Sequence, residues 1–306
     1  MKILCIGQAA FDLTFPIEEP LQENRKYVVS SHKECVGAPA TNAAALLAKW
    51  GLDTSLIARI GSDLYGKRIL NTLKDTGLNT QYIQIEEGIS TSLSCILSNI
   101  KTGTRTILND PLLAPERLLP FPDTKPDYIL IDGRESLTAK TVLEKFPDSI
   151  SIMDAGSLKP WTKSLAGLVD YFICSEDLCR SYTQREIDLK DLSGLETIFH
   201  KLEELTKNTI VITIGQRGLL YKSHGQIRHI PAYPAKTVDS TGAGDIFHGA
   251  FVYFLAQKMP LIEVLKMASL TASISTETIG GMPSIPSLET VYERKSRIEG
   301  FANERD

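Results

Sequence analysis

The segment Val238-Asp-Ser-Thr-Gly-Ala-Gly-Asp-Ile-Phe-His-Gly-Ala-Phe251 governs the reading of the chain. Asp239, Ser240 and Thr241 are helix-capping residue types. Gly242, Ala243 and Gly244 are small enough to let another group approach the backbone. From Ile246 to Ala256 only His248 is clearly polar, which predicts a helix buried nearly all round. A buried helix with a bare amino end is a ready anion site, because its free N–H groups and its dipole both favour negative charge. Asp245 stands in the first turn, where a carboxylate is either a simple partner of the dipole or an acceptor for the proton of an attacking hydroxyl. Phosphoryl transfer needs positioning, charge neutralisation on the phosphoryl oxygens and a base near the nucleophile. A cap alone does not need two glycines. His248 is expected to be a satisfied core histidine.

Outward from this segment, short apolar runs alternate with helical patterns. Strands are expected at Lys2–Gly7, Ser55–Ile60, Tyr128–Asp132, Ser151–Asp154, Tyr171–Cys174 and Thr209–Ile214. Helices are expected at Ala40–Trp50, Leu64–Thr76, Thr138–Phe146 and Leu195–Thr206, with Gly51 and Gly77 as stop signals after the first two. The alternation predicts right-handed βαβ units and a doubly wound, mostly parallel α/β sheet flanked by helices. Lys26–Lys33 and Leu93–Leu108 break the rhythm and read as antiparallel strands, with Lys101-Thr-Gly103 as a hairpin turn. They form either a small sheet projecting from the main one or a surface β-meander. The parse is one α/β domain over residues 1–306, with these strands inserted within about 12–36 and 88–110. Leu261 onward reads as two helices around Gly280–Pro286, and the polar tail Gly300–Asp306 is expected to fray.

Composition narrows the function classes. The chain has 306 residues, 42% hydrophobic and 23% charged, with a formal net charge of −4 and no basic block. That balance disfavours a nucleic-acid partner. The amino terminus lacks a signal-type apolar core, and no run is long enough to span a membrane, so a cytoplasmic protein is expected. Cys5, Cys35, Cys95, Cys174 and Cys179 are odd in number and form no C-x-x-C pair, which predicts reduced thiols. Gly61-Ser-Asp-Leu-Tyr-Gly66-Lys67-Arg68 has P-loop spacing, but Arg68 stands where that loop needs Ser or Thr for magnesium. No dinucleotide fingerprint follows the first strand.

Asp239-Ser-Thr-Gly-Ala-Gly-Asp245, with Phe247 and Gly249-Ala-Phe251, resembles the carboxy-terminal signature of the ribokinase-like (PfkB-type) carbohydrate kinases. Gly37-Ala-Pro-Ala-Thr-Asn42-Ala-Ala44, running on to Gly51, resembles their amino-terminal signature. Ala58–Gly66 and Ile214-Gly-Gln-Arg-Gly218 resemble two further family turns, so the likeness spans nearly the whole chain in order. The resemblance implies an ATP- and magnesium-dependent kinase for a small sugar or sugar derivative. It makes Asp245 the base and Gly242, Ala243 and Gly244 the anion hole. Asp12, Gly37, Ala38 and Asn42 fall in the sugar pocket, and Arg105 of the lid would contact an anionic group; read locally, Asp12, Gly37 and Asn42 are also a turn cap, a turn glycine and a helix start. Thr213, Gly215, Gly218, Gly242, Gly244 and Gly280 would line the nucleotide. Asp239, Thr241 and Gly281 would order a monovalent cation such as K+, and Glu176 would reach magnesium through water. Asp132 and Arg134 are further candidates for the substrate. The β-appendage would be a lid over the sugar, and pairing of its exposed edges would give a homodimer.

Two positions depart from the family pattern. Ala38 replaces the second glycine of a pair, which narrows the pocket or shifts the backbone. Cys174-Ser-Glu-Asp-Leu178 stands where many members carry Asn-x-x-Glu, so Ser175 and Leu178 replace both motif residues. That replacement is similar to ketose kinases and favours a keto-sugar. Two rivals stay open: a nucleoside kinase on the same scaffold, marked by a stacking aromatic at the pocket, and a catalytically weak sugar sensor.

Overall fold

The computed structural model describes the backbone of residues 1–303 and the side chains of residues 1–298. In chain order the first elements are β1 (Lys2–Ile6), β2 (Ala10–Ile17), β3 (Lys33–Gly37), α1 (Pro39–Lys49), β4 (Asp53–Gly61) and α2 (Leu64–Asp75). There follow β5 (Ile83–Glu86), β6 (Leu93–Asn99), β7 (Thr104–Asp110), β8 (Tyr128–Ile131), α3 (Ser136–Lys145), β9 (Ile150–Ala155), α4 (Thr162–Ala166) and β10 (Tyr171–Ser175). The rest are α5 (Glu176–Thr183), α6 (Leu192–Leu202), β11 (Thr209–Thr213), β12 (Leu219–Ser223), β13 (Gln226–Ile230), α7 (Ala243–Ala256), α8 (Leu261–Ser275) and α9 (Leu288–Asn303).

Nine strands form one sheet in the order β13-β12-β11-β10-β9-β8-β1-β4-β5. All neighbours from β5 to β11 are parallel, and β12 and β13 are antiparallel. Both faces are covered. In β1, Ile3 and Cys5 enter the core beneath α1, α7 and α8, while Leu4 and Ile6 enter the core beneath α3 to α6. Continuous apolar strands are the signature of such two-sided burial. Each fully buried Leu, Ile or Phe contributes about 1.5–3 kcal/mol, so two cores stabilise a sheet of this width without crosslinks. Consistently, the five cysteines are unbridged, four of them buried and Cys95 half-buried.

The chain runs outward from β1 to β4 and β5, then returns to add β8 on β1's other side. Ligands of doubly wound sheets bind outside the carboxyl ends of strands at such a reversal. The ends gathered there carry Gln8, Asp132, Asp154 and Thr213. A depression of about 640 Å³ lies instead at the amino ends of β9 to β11, where Lys222 pairs with Glu203 and Asp170 bonds Ser151.

The second sheet has the order β3-β2-β6-β7. The hairpin of β6 and β7 forms as expected, turning at Gly103 with φ +69° and its amide on the Asn99 carbonyl at 2.7 Å. The strand expected at Lys26–Lys33 does not form; the strand is Lys33–Gly37, paired with β2 from Thr14 back to Ala10. Val28 is 88% exposed and Val29 only half-buried, so the β-branched residues gain little from an extended state. The two expected segments also do not pair with each other, because β2 lies between them and runs parallel to β6.

The other expectations hold to within a few residues. Gly51 and Gly77 adopt φ +84° and +81° just past α1 and α2, as left-handed helix stops. The two carboxy-terminal helices are α8 and α9. Of the tail Gly300–Asp306, the helix runs on to Asn303 and residues 304–306 lie outside the described residues.

Candidate active site

Helix α7 is buried along nearly its whole length, as its composition predicts. Its start differs from the expectation of side-chain capping. Gly242 is the N-cap, in the left-handed region at φ +76°, and no side chain caps the helix. Asp239 is turned elsewhere: Oδ1 accepts from the Thr241 amide at 3.0 Å and hydroxyl at 2.7 Å, and Oδ2 accepts from the Gly280 amide at 2.8 Å. The cause is a close backbone crossing, since a Cβ on Gly242 would lie 2.8 Å from Gly281 Cα. The Ala243 amide donates to the Ser240 carbonyl at 3.3 Å, while the amides of Gly242 and Gly244 meet no acceptor among the described residues. Two of the three expected anion-binding amides are therefore free.

Asp245 lies half-buried in the first turn, and its Oδ2 accepts from Asn42 Nδ2 at 2.7 Å. Burial pushes its carboxyl above the ordinary range, and the Asn42 bond, His248 and Arg105 oppose that push. Asn42 comes from the first turn of α1, is 1% exposed and has an unpartnered Oδ1. Gly281 presses on the same side chain, because a Cβ there would meet Asn42 Nδ2 at 2.8 Å. Gly280, at φ +92°, has room for a Cβ only at 3.2 Å from Cys35 Sγ. The glycine pair thus packs against Asn42, Gly242 and the β3 residue Cys35.

Asp12 projects from β2, 5% exposed, and burial raises its carboxyl to about 6, against a hydrogen bond from Ser94. Asp245 and Asp239 are near enough for their charges to add to that rise. Gly37 is required by Asp12, whose Oδ2 would be 1.9 Å from a Cβ at that position. Ala38 keeps a glycine conformation, with φ +89° and ψ 151°, so the methyl group has not shifted the backbone out of that region. A polar chain continues from Asp12 through Ser94, Asn109 and Ser92 to Gln8. The hairpin tip rests on the loop before α7: Arg105 Nη1 donates to Ser240 Oγ at 2.9 Å, and Ser240 Oγ donates to the Gly103 carbonyl at 2.8 Å. Ser94 and Asn109 had no pattern to single them out; only the pairing of β2 with β6 and β7 brings them in.

Deeper in the sheet, Asp132 accepts from the amides of Gln8, Ala40 and Arg134, and burial raises its carboxyl to about 6. Arg134 Nη2 is committed to the Leu112 carbonyl at 3.1 Å. His248 is buried, as expected, but only one of its ring nitrogens is satisfied. On the far side, Thr213 ends β11 with its hydroxyl 3.4 Å from the Cys174 carbonyl. Gly215, at φ +59°, has open space where a Cβ would be, whereas one on Gly218 would lie 2.0 Å from the Ile230 carbonyl. Glu176 is held by Arg217 in an ion pair. The P-loop lookalike is structural: Asp63 caps α2 through the Gly66 amide at 2.8 Å and also binds the Thr91 amide and hydroxyl.

These features define an α/β scaffold with a covered cleft, a free helix amino end and a buried carboxylate beside it. The fold is shared with Arabidopsis thaliana ribokinase complexed with ribose and ATP, at a TM-score of 0.78 and 22% identity over 95% of this chain and 97% of that one. The chain belongs to the pfkB family of carbohydrate kinases, whose family model matches residues 1–288. It is 24% identical to a deoxyribokinase of Salmonella typhi over 98% of this chain and 100% of that protein. It is 25% identical to the ribokinase of Bacillus subtilis over 96% and 99% of the two chains. Among the described residues, no helix is long and apolar enough to cross a membrane.

Proposed function

We propose that this protein transfers the γ-phosphoryl group of ATP to a hydroxyl of a small sugar held between Asp12 and Asp245. The observation that carries the reading is the Asn42–Asp245 hydrogen bond, which joins two signatures 203 residues apart at one carboxylate. In the reaction the sugar hydroxyl gives its proton to Asp245 and its oxygen bonds to the γ-phosphorus. The bond from that phosphorus to the bridging oxygen breaks, and ADP leaves. The free amides of Gly242 and Gly244 donate to the phosphoryl oxygens, where preorganised donors act most strongly. A half-buried Asp245 with a raised pKa is a better base near neutral pH than an exposed aspartate.

Asp12 and Asn42 hold sugar hydroxyls, with Gly37 and Ala38 forming the adjoining wall, and Arg105 closes the lid side over the reacting group. Thr213, Gly215, Gly218 and Gly280 line the nucleotide. Magnesium comes with ATP, held chiefly by the phosphates, and supplies charge neutralisation. Glu176 reaches it only if the Arg217 pair opens or a water bridges. Asp239 has three of about four acceptor positions filled, so with Thr241 and Gly281 it offers a monovalent cation such as K+ one carboxylate oxygen plus carbonyls.

The relatives' names make ribose and deoxyribose the first sugars to test, and the altered Ser175–Leu178 segment adds ketoses. The nucleoside reading loses ground: Phe11 packs against Tyr65 and Arg68, and Phe247 lies in the core, so neither aromatic stacks over the pocket. The lid's outer strand β7 is exposed throughout, including Ile107 and Leu108. Pairing of two copies along it would cover that edge, and a purely monomeric sedimentation profile at assay concentration would exclude this.

The test is ADP release from Mg-ATP across pentoses, deoxypentoses, ketoses, sugar acids, sugar phosphates and nucleosides, with Asp245→Asn alongside. Turnover of one class and a loss of at least about a hundredfold in Asp245→Asn is the expected result. Sugar binding that stabilises the fold without any turnover would replace the kinase reading with the sensor.

A further inference from the structure

The buried histidine beneath the candidate base has a geometry that core packing does not require. His248 lies one turn below Gly244 and Asp245 on α7. Its ring reaches back along the helix, and Nδ1 comes 2.7 Å from the Gly244 carbonyl. That carbonyl can only accept, so Nδ1 carries a proton. Asp154 Oδ2, from the end of β9, stands 3.1 Å from the same nitrogen. Nε2 has no partner and the ring stands beside the Ile173 carbonyl of β10. A histidine kept only for volume is an expensive choice here: it is desolvated, half-satisfied and placed beside the buried Asp154 and the half-buried Asp245.

The Gly244 carbonyl belongs to the same peptide unit as the Asp245 N–H, which lies beside the Asp245 carboxylate and favours its charged form. A donor on one end of a peptide group polarises the N–H at the other end and fixes its plane. The carboxylate is therefore held by Asn42 from α1 and faced by its own amide, on the peptide that His248 contacts.

We propose that His248, held by Asp154, is a positioning residue that aims the Gly244–Asp245 peptide and so fixes and tunes the Asp245 carboxylate. This rests on Asp245 being the base of the reaction proposed above. The charged groups facing the site are Asp154 from β9, Asp132 from the end of β8, Arg105 from the lid, and Asp12 from β2. Burial, helped by the Asp245 and Asp132 charges, holds the Asp154 carboxyl well above the ordinary range, and burial lowers His248. The peptide N–H favours the charged form of Asp245, so turning it away raises the pKa of that carboxyl and moves the acid limb of the activity profile to higher pH.

The decisive comparison is His248→Thr against His248→Val. The two side chains leave nearly the same cavity, but a threonine hydroxyl can bond the carbonyl four residues back. The expected result is that Val lowers kcat about tenfold, short of the roughly hundredfold or more for losing a base, with both KM values within about twofold. Thr should stay within about threefold of the wild type and keep the acid limb in place. Carboxyl-carbon NMR titration of Asp245, assigned with Asp245→Asn and run without substrate, reads the same effect independently of turnover. A pKa raised in Val but not in Thr supports the proposal even if the kinase assay fails. Equal kcat and equal titration in Val and Thr overturn it, even if Asp245 proves to be the base. If the cavity unfolds both variants, His248→Gln against His248→Leu repeats the comparison with larger side chains, judged by the same two outcomes.

Discussion

Replacing Ala38 by glycine should stabilise the protein, against the usual sign of that change. Ala38 precedes Pro39 at the start of α1 and sits at φ +89°, ψ 151°, a region that is essentially glycine's own. A proline after it further restricts the residue to ordinary extended backbone. The conformation is imposed from both sides: Gly37 is pressed against Asp12, and the Ala38 carbonyl accepts the first α1 bond from the Asn42 amide at 2.8 Å. A non-glycine residue held there costs about 1–3 kcal/mol. Glycine relieves that strain but frees the unfolded chain by about 0.4–1 kcal/mol. The net gain is on the order of 1 kcal/mol. With about 2.1 cal/mol/K of unfolding entropy per residue over a chain of this length, the thermal midpoint rises by roughly 2 °C. Calorimetry and guanidinium unfolding on wild type, Ala38→Gly and Ala38→Val would give the order Gly, Ala, Val from most to least stable. If Ala38→Gly instead loses about 0.4–1 kcal/mol, as at an unstrained position, the strain argument is refuted.

Asp12 gives a pH prediction whose sign is fixed by burial. Its folded carboxyl is raised to about 6 from a usual value near 4, so the protein gains stability below pH 4 and loses it as pH rises through about 6. Relative to Asp12→Asn, wild type should be more stable at pH 4 than at pH 7 by about 3 kcal/mol, and a pH-independent difference would show that the carboxyl is not desolvated. Arg105→Met removes the Ser240 contact and a charge that lowers the Asp245 pKa. It should cut kcat about tenfold and move the acid limb to higher pH, with little change in thermal midpoint because the side chain is exposed. An unchanged pH profile would mean that the guanidinium only tethers the hairpin.

What the sequence made legible was what local chemistry determines. Continuous apolar strands, glycine helix stops and the bare amino end of α7 each depend on residues within a turn or two of one another, and each stands where the pattern put it. The failures come from contacts between distant segments. The valines at 28 and 29 look like a strand until β2 is seen to end its pairing at Thr14. Asp239 looks like a cap until Gly280 is seen to claim it, 41 residues away. Asp154 and Ser94 carry no local mark; only the strand order brings the first under α7 and the second against Asp12.

The altered segment after β10 is the clearest case of a departure that the structure explains. Without the family's asparagine, Ser175 serves as the N-cap of α5, accepting from the Leu178 amide at 3.1 Å and donating to the Gly156 carbonyl at 2.7 Å. Leu178, in place of the motif's glutamate, is fully buried in the core under α5 and α6, so no charge returns there without a large desolvation cost. The neighbouring carboxylate Glu176 is neutralised by Arg217, whose Nη1 is also anchored on the Ile187 carbonyl at 2.8 Å. The segment has thus exchanged the motif's asparagine and glutamate for a helix cap, a core leucine and a neutral ion pair.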